Sequence, residues 1–155
     1  MKLKEIKFAN LKFTSGIEND LGKLINVNYD NSILEFQTPK VIIEKLIREN
    51  NGKEYIIVKL VNCKSFKDKI IELENELSKY SNKNINSILL DSTLKLKVPF
   101  KYSKPIIKIY SENKLFNYYN LKPGMKIICL VSLNGIWINN YTNYNLNIKE
   151  ILIIN

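Results

Sequence analysis

Between Lys95 and Lys126 the chain carries eight lysines (Lys95, Lys97, Lys101, Lys104, Lys108, Lys114, Lys122 and Lys126) against a single acid, Glu112. Six aromatic residues are interleaved with them: Phe100, Tyr102, Tyr110, Phe116, Tyr118 and Tyr119. Ammonium groups neutralise phosphates and aromatic rings stack on unpaired bases, so this mixture suits a single strand of nucleic acid. The same stretch also reads as a solvated lysine face over a Tyr/Phe core. On the binding reading, Lys101, Tyr102, Lys104, Lys108, Tyr118 and Tyr119 lead, because they flank prolines or occupy polar segments. Lys95, Lys97, Lys122 and Lys126 extend the set, while Phe100, Tyr110 and Phe116 read as core. Trp137, the sole tryptophan, lies between Ile136 and Ile138, a setting commoner in cores than in stacking platforms. Tyr141 and Tyr144 sit beside it in an Asn-rich loop, where rings are less easily buried. Trp137, Tyr141 and Tyr144 therefore enter the candidate set as a second wall of a groove.

Other chemistry is sparse. The chain has no histidine, which excludes Ser-His-Asp and Cys-His triads and His-ligated metals. It has no Gly-rich phosphate loop, and Asp91-Ser92-Thr93 reads as a turn rather than a catalytic cluster. We expect no enzyme activity, no metal and no other cofactor. Cys63 and Cys129 are far apart in apolar contexts and read as reduced core residues.

The net charge of +9 needs dissection. There are 23 lysines but one arginine, Arg48, and 22 asparagines and 24 isoleucines but one alanine, Ala9. Lys, Asn and Ile have A/T-rich codons, so base composition alone would raise the lysine count. The distribution is more telling, since codon bias acts on both halves alike. Residues 1–80 hold 14 basic and 12 acidic side chains, whereas residues 81–155 hold 10 basic and 3 acidic. The second half is depleted of acids, which suits an anionic partner.

The elements that must position these residues are mostly strands. Lys7–Phe13 reads as an edge strand, Lys23–Tyr29 alternates, and Asn31-Ser32 turns into Ile33–Gln37. Val41–Ile47 is ambiguous between strand and short helix, and Asn51-Gly52 predicts a hairpin turn into Glu54–Val61. Ser65-Phe66-Lys67-Asp68 resembles a capping box, followed by an apolar stripe of Phe66, Ile70, Leu73, Leu77 and Tyr80. That predicts one amphipathic helix near 65–80, with Glu72, Glu74 and Glu76 off the stripe. Asn84–Leu90 is a short apolar segment, helical or extended. Lys95–Phe100, Pro105–Tyr110 and Leu115–Tyr119 read as strands, and Leu121-Lys122-Pro123-Gly124 as a type II turn. Met125–Leu133 is a buried strand, Asn134-Gly135 fits a type I′ hairpin into Ile136–Ile138, and Leu146–Ile154 is the last strand. No apolar run reaches a membrane span, and Met1–Glu5 has no signal core, so neither membrane insertion nor secretion is expected.

Two segments carry a family resemblance. Leu34-Glu35-Phe36-Gln37-Thr38-Pro39-Lys40 is one. The other runs from Leu121-Lys122-Pro123-Gly124 through Val131-Ser132-Leu133-Asn134-Gly135-Ile136-Trp137-Ile138 to Leu146-Asn147-Ile148-Lys149. Their order and spacing resemble the single-stranded-DNA-binding proteins of nucleocytoplasmic large DNA viruses, a group similar to the T7-type phage proteins. The resemblance implies a single OB-like domain over residues 1–155: mostly β with one or two helices, a five-stranded barrel with extra strands. It implies non-catalytic, sequence-independent binding of single-stranded DNA, with RNA as the related substrate. The expected setting is replication or genome handling in the host cytoplasm, at a viral factory, or in the virion. Other viral proteins and a second copy of the chain are the further partners expected. The alternative is a virion structural or assembly protein that uses the β-barrel for protein contacts.

Overall fold

Leu94, Leu96 and Val98 are buried while Thr93, Lys95 and Lys97 between them are half-exposed, the period-two signature of a strand with one face on a core. A computed structural model describes residues 2–155. Its first strands are β1 (Leu11–Asn19), β2 (Gly22–Tyr29), β3 (Leu34–Gln37), β4 (Val41–Arg48) and β5 (Glu54–Lys59). Helix α1 (Lys64–Ser81) follows, then β6 (Ile85–Asn86), β7 (Leu89–Leu90) and β8 (Thr93–Val98). A small hairpin comprises β9 (Phe100–Lys101) and β10 (Lys104–Pro105), and a second comprises β11 (Lys108–Ser111) and β12 (Lys114–Leu115). The remaining strands are β13 (Lys126–Leu133), β14 (Gly135–Ile138), β15 (Thr142–Tyr144) and β16 (Asn147–Ile154).

Five of these strands close a ring. β4 pairs with β5 and β5 with β8. β8 meets β16 in parallel at Lys97–Asn147, β16 pairs with β13, and β13 returns to β4 at Lys126–Ile42. The fold is mostly β with one helix, a closed five-stranded barrel with extra strands, as the resemblance implies. Closure is narrow at two seams, with one residue pair between β8 and β16 and two between β13 and β4, but it joins the outer strands of the sheet into a ring. Ile43, Ile56, Val58, Leu94, Leu96, Ile127, Cys129, Val131 and Ile148 fill the interior. Each aliphatic side chain among them contributes roughly 1.5–3 kcal/mol by leaving water.

A second sheet, in the order β1-β2-β14-β15-β6, stands beside the barrel. Its origin corrects one expectation. Asn134-Gly135 is not a hairpin turn: β13 and β14 do not pair, and the chain passes from one sheet into the other. The Asn134 carbonyl accepts from the Val27 amide at 3.1 Å, and a Cβ on Gly135 would lie 2.8 Å from the Ile25 carbonyl oxygen. Glycine is needed here for close backbone approach rather than for a left-handed turn.

Other local expectations shift in the same way. The first I′ turn is centred on Asp30 and Asn31 (φ 49° and 65°), one residue earlier than expected. Asn51-Gly52 lies in a longer loop, closed by the Glu49 amide donating to the Lys53 carbonyl at 2.8 Å. The type II turn forms as expected, with Gly124 at φ 93° and the Met125 amide on the Lys122 carbonyl at 3.3 Å. The 115–119 strand is shorter, since Tyr118–Asn120 is a 3₁₀ turn.

Helix α1 starts one residue before the expected capping box, which does not form. Cys63 holds the N-cap position with no side-chain cap, and Lys64 pairs with Asp68 at 2.8 Å. The helix ends at Asn82 in the left-handed region (φ 57°). Ile70, Leu73 and Leu77 are buried, and Tyr80 stacks on Phe13 with ring centres 4.1 Å apart. Glu74 departs from expectation: it is buried and accepts from the Ser87 hydroxyl (2.7 Å), the Ile88 amide (3.3 Å) and the Tyr144 hydroxyl (2.5 Å). A buried carboxylate with three different donors fixes the helix to residues 87–88 and to β15.

Candidate nucleic-acid interface

The second and third barrel strands, β5 and β8, turn one face away from the barrel interior, where Lys95 and Lys97 are half-exposed but Tyr55 and Ile57 are buried. Across them Tyr55 lies opposite Lys97, Ile57 opposite Lys95, and Lys59 opposite Thr93. The Lys95 ammonium sits 4.1 Å from the Tyr55 ring centre and 3.4 Å from the Glu49 carboxylate. Tyr55 has its pKa raised, by burial first and then by the negative charge of Glu49. In OB-type barrels this face, with the loops joining strands one to two and four to five, holds oligonucleotides. The corresponding loops here are 49–53 and 134–146.

Beside this face runs an open groove of about 970 Å³. Lys97 and Asn147 lie where β8 meets β16, Lys53 comes from the 49–53 loop, and Phe100, Ile106 and Lys108 come from the chain beyond β8. Lys97 is the electrostatic key. Burial holds its pKa below the ordinary 10.5, and the positive charge of Lys53 lowers it further. A partly desolvated cation beside a second cation is stabilised by an incoming anion. Among the described residues, Lys53, Lys97 and Lys108 form no ion pair, whereas Lys149 at the groove edge is held by Glu35 at 2.5 Å.

The β9–β10 hairpin grows from this groove, with Phe100 and Ile106 at its base. It carries Lys101 and Lys104 opposite each other and Tyr102 at the tip, 88% exposed. The structure thus gathers Lys97 and Lys108 in the groove, Lys101, Tyr102 and Lys104 on the hairpin, and Lys95 on the adjoining face. Tyr119 is exposed.

The other candidates fall elsewhere. Tyr118 is buried, edge-on to Phe100 with centres 6.0 Å apart, so it supports the Phe100 ring rather than offering a base platform. Its pKa is pushed up to about 12 by burial first, then by Glu54 and Tyr119. Lys122 sits in the type II turn, and Lys126 begins β13 in register with Ile42, at the far end of that strand from Ser132 in the groove lining. Trp137 is half-buried over Gly22, where an added Cβ would meet its ring at 2.8 Å. Tyr141 is exposed but borders a separate depression with Asn19–Lys23. Tyr144 is buried, its hydroxyl donated to Glu74, so its ring cannot stack on a base in this arrangement.

The expected second wall, Trp137 to Tyr144, is therefore not a wall of this groove. The physical reason is the crossing at Asn134-Gly135, which carries those residues into the second sheet and leaves only Asn134 in the lining. Loop 49–53 and the outer faces of β3, β13 and β16 line the groove instead. Lys53 escaped sequence reasoning because it lies in the charge-balanced half, whereas Tyr55-Ile56-Ile57-Val58 reads as buried strand and is buried. The available signal was Lys53 next to the Asn51-Gly52 turn, which marks an exposed loop tip.

Among the described residues no three Cys, Asp or Glu side chains come together to hold a metal ion. No protein-family model matches the sequence, and no curated protein matches it. Solved structures share its architecture. The single-stranded DNA-binding protein from bacteriophage Enc34 aligns with a TM-score of 0.54 at 13% identity, over 92% of this chain and 89% of that one. A C-terminal truncation of it gives 0.58 at 11% identity, over 92% and 94% of the two chains. Its complex with single-stranded DNA gives 0.53 at 10% identity, over 92% and 95%. At these identities the likeness establishes the fold: over 92% of its length this chain shares the architecture of a phage single-stranded DNA-binding protein.

Proposed function

We propose that this chain binds single-stranded DNA without sequence preference and without catalysis, in the replication or genome handling of a DNA virus. The observation that carries the proposal is Lys97, held partly desolvated beside Lys53 in a groove that also presents Phe100 and Lys108. Lysines on phosphates and ring faces under bases give affinity without reading base edges, hence the lack of sequence preference. The acid-poor second half and the fold shared with a protein solved on single-stranded DNA support the same reading. The resemblance of residues 34–40 and 121–149 makes a large DNA virus the proposed setting, although the solved neighbours come from a bacteriophage.

Fluorescence anisotropy with oligo-dT, oligo-dC, a mixed-sequence oligomer and a duplex tests the reading. The three single strands should bind with similar affinity and the duplex more weakly. Lys97→Glu should weaken all three single strands by about tenfold or more, since it both removes a phosphate partner and adds a repulsive charge. Equal binding of the duplex, or an unchanged Lys97→Glu protein, would remove the groove from the account. Failure of every oligomer, with tight association to virion proteins after nuclease treatment, would point to the assembly role.

A further inference from the structure

The β9–β10 hairpin contains two residue choices that are locally unfavourable. Its central residues, Tyr102 and Ser103, have φ 52° and 63°, the left-handed pair of a type I′ turn. Such turns favour Asn or Asp followed by Gly, and a bulky side chain there is strained. The same backbone recurs twice in this chain, at Asp30-Asn31 (49° and 65°) and Glu112-Asn113 (52° and 65°). Both of those turns place an acid first and Asn second, so the comparison isolates the choice of Tyr and Ser at the third.

Among the described residues the fold gives the Tyr102 ring little to offset that choice. The Tyr102 ring is 88% exposed, and its recorded ring partner is the Lys101 ammonium, 5.5 Å from the ring centre. The second unfavourable choice is electrostatic. Lys101 and Lys104 face each other directly across the ladder, where like charges destabilise the pair. The hairpin has only two residues in each strand, closed at its base by the Ile106 amide on the Pro99 carbonyl at 2.9 Å.

One ligand would offset both costs. A base laid on the exposed ring recovers stacking, and phosphates beside the two ammoniums cancel their repulsion. Local choices that conflict with the fold concentrate at functional sites. We propose that this hairpin is a nucleotide clamp: Tyr102 stacks on an unpaired base of single-stranded DNA, and Lys101 and Lys104 hold its flanking phosphates. The clamp rests on the single-stranded DNA reading of the groove, from whose lining the hairpin grows.

The test uses the full chain, oligo-dT, and an abasic oligomer of equal length. Tyr102→Gly removes the ring and the backbone strain together, so its melting temperature should equal or exceed that of the parent. Its affinity for oligo-dT should fall about five- to 150-fold, the loss of one stacked base, while its affinity for the abasic strand matches that of the parent. Tyr102→Phe should recover most of the lost affinity, because it keeps the ring. Undiminished oligo-dT binding by Tyr102→Gly, or an equal loss on the abasic strand, overturns the clamp and leaves the groove reading standing. Absence of oligo-dT binding by the parent protein overturns the proposed function, and the clamp with it.

Discussion

Replacing Tyr144 by Phe removes one hydroxyl and leaves the ring in place. That hydroxyl donates to Glu74 at 2.5 Å, and Glu74 is only 6% exposed. The substitution leaves the carboxylate with the Ser87 hydroxyl and the Ile88 amide. A hydrogen bond to a buried charged group is worth about 1.5–3 kcal/mol. For a chain of 155 residues this lowers the melting temperature by roughly 3–12 °C, at about 2–4 °C per kcal/mol. Chemical denaturation should show the same loss as a lower midpoint with an unchanged slope. The effect also has a pH signature. The Tyr144 pKa is raised well above 10.0, by burial first and then by Glu74. A raised tyrosine pKa contributes stability that is complete below the unfolded value of about 10 and is lost as pH rises through the folded value. Tyr144→Phe should therefore flatten part of the alkaline loss of stability while lowering stability at neutral pH. Oligo-dT affinity should be unchanged, because Tyr144 does not line the groove. An unchanged melting temperature, or a loss of oligo-dT binding in a fully stable protein, would refute the assignment of Tyr144 to the core.

Two further predictions concern the groove and the crossing that shapes it. Lys97 in the free protein releases its proton below the ordinary 10.5, whereas a bound phosphate favours the charged form. Oligo-dT affinity should be full at neutral pH and fall as pH rises through the lowered Lys97 pKa. Lys97→Arg, charged throughout, should remove that part of the fall in an anisotropy series. Gly135→Ala places a Cβ 2.8 Å from the Ile25 carbonyl oxygen, which cannot swing aside as a side chain would. It should destabilise the protein by about 1–3 kcal/mol in urea denaturation, and a neutral result would remove the close-approach account of that glycine.

Period-two alternation made β8 and much of the barrel legible, and the apolar stripe placed α1 within a residue or two of its ends. Turn chemistry was a weaker guide. Asn134-Gly135 matches an I′ turn in composition, but the chain uses this glycine for backbone contact with β2, a demand set by a strand more than one hundred residues earlier. Long-range packing also decided Glu74 and Tyr144, whose side-chain polar atoms pair with each other and, for Glu74, with residues 87–88. The candidate site was legible where exposure follows from local pattern, as at Lys101, Tyr102 and Lys104 beside Pro99 and Pro105. It was illegible at Lys53, which the 49–53 loop carries into the groove.

The salt dependence of oligo-dT binding probes the central claim most directly. Among the described residues Lys53, Lys97 and Lys108 in the groove, and Lys101 and Lys104 on the hairpin, form no ion pair and are available to phosphates. If all five engage a single strand, log K should fall against log salt with a slope of about −3.5, at roughly −0.7 per phosphate neutralised. Each of these lysines replaced by alanine should make the slope about 0.7 shallower. Binding that ignores salt, or no binding at low salt, would contradict the claim that this groove holds single-stranded DNA.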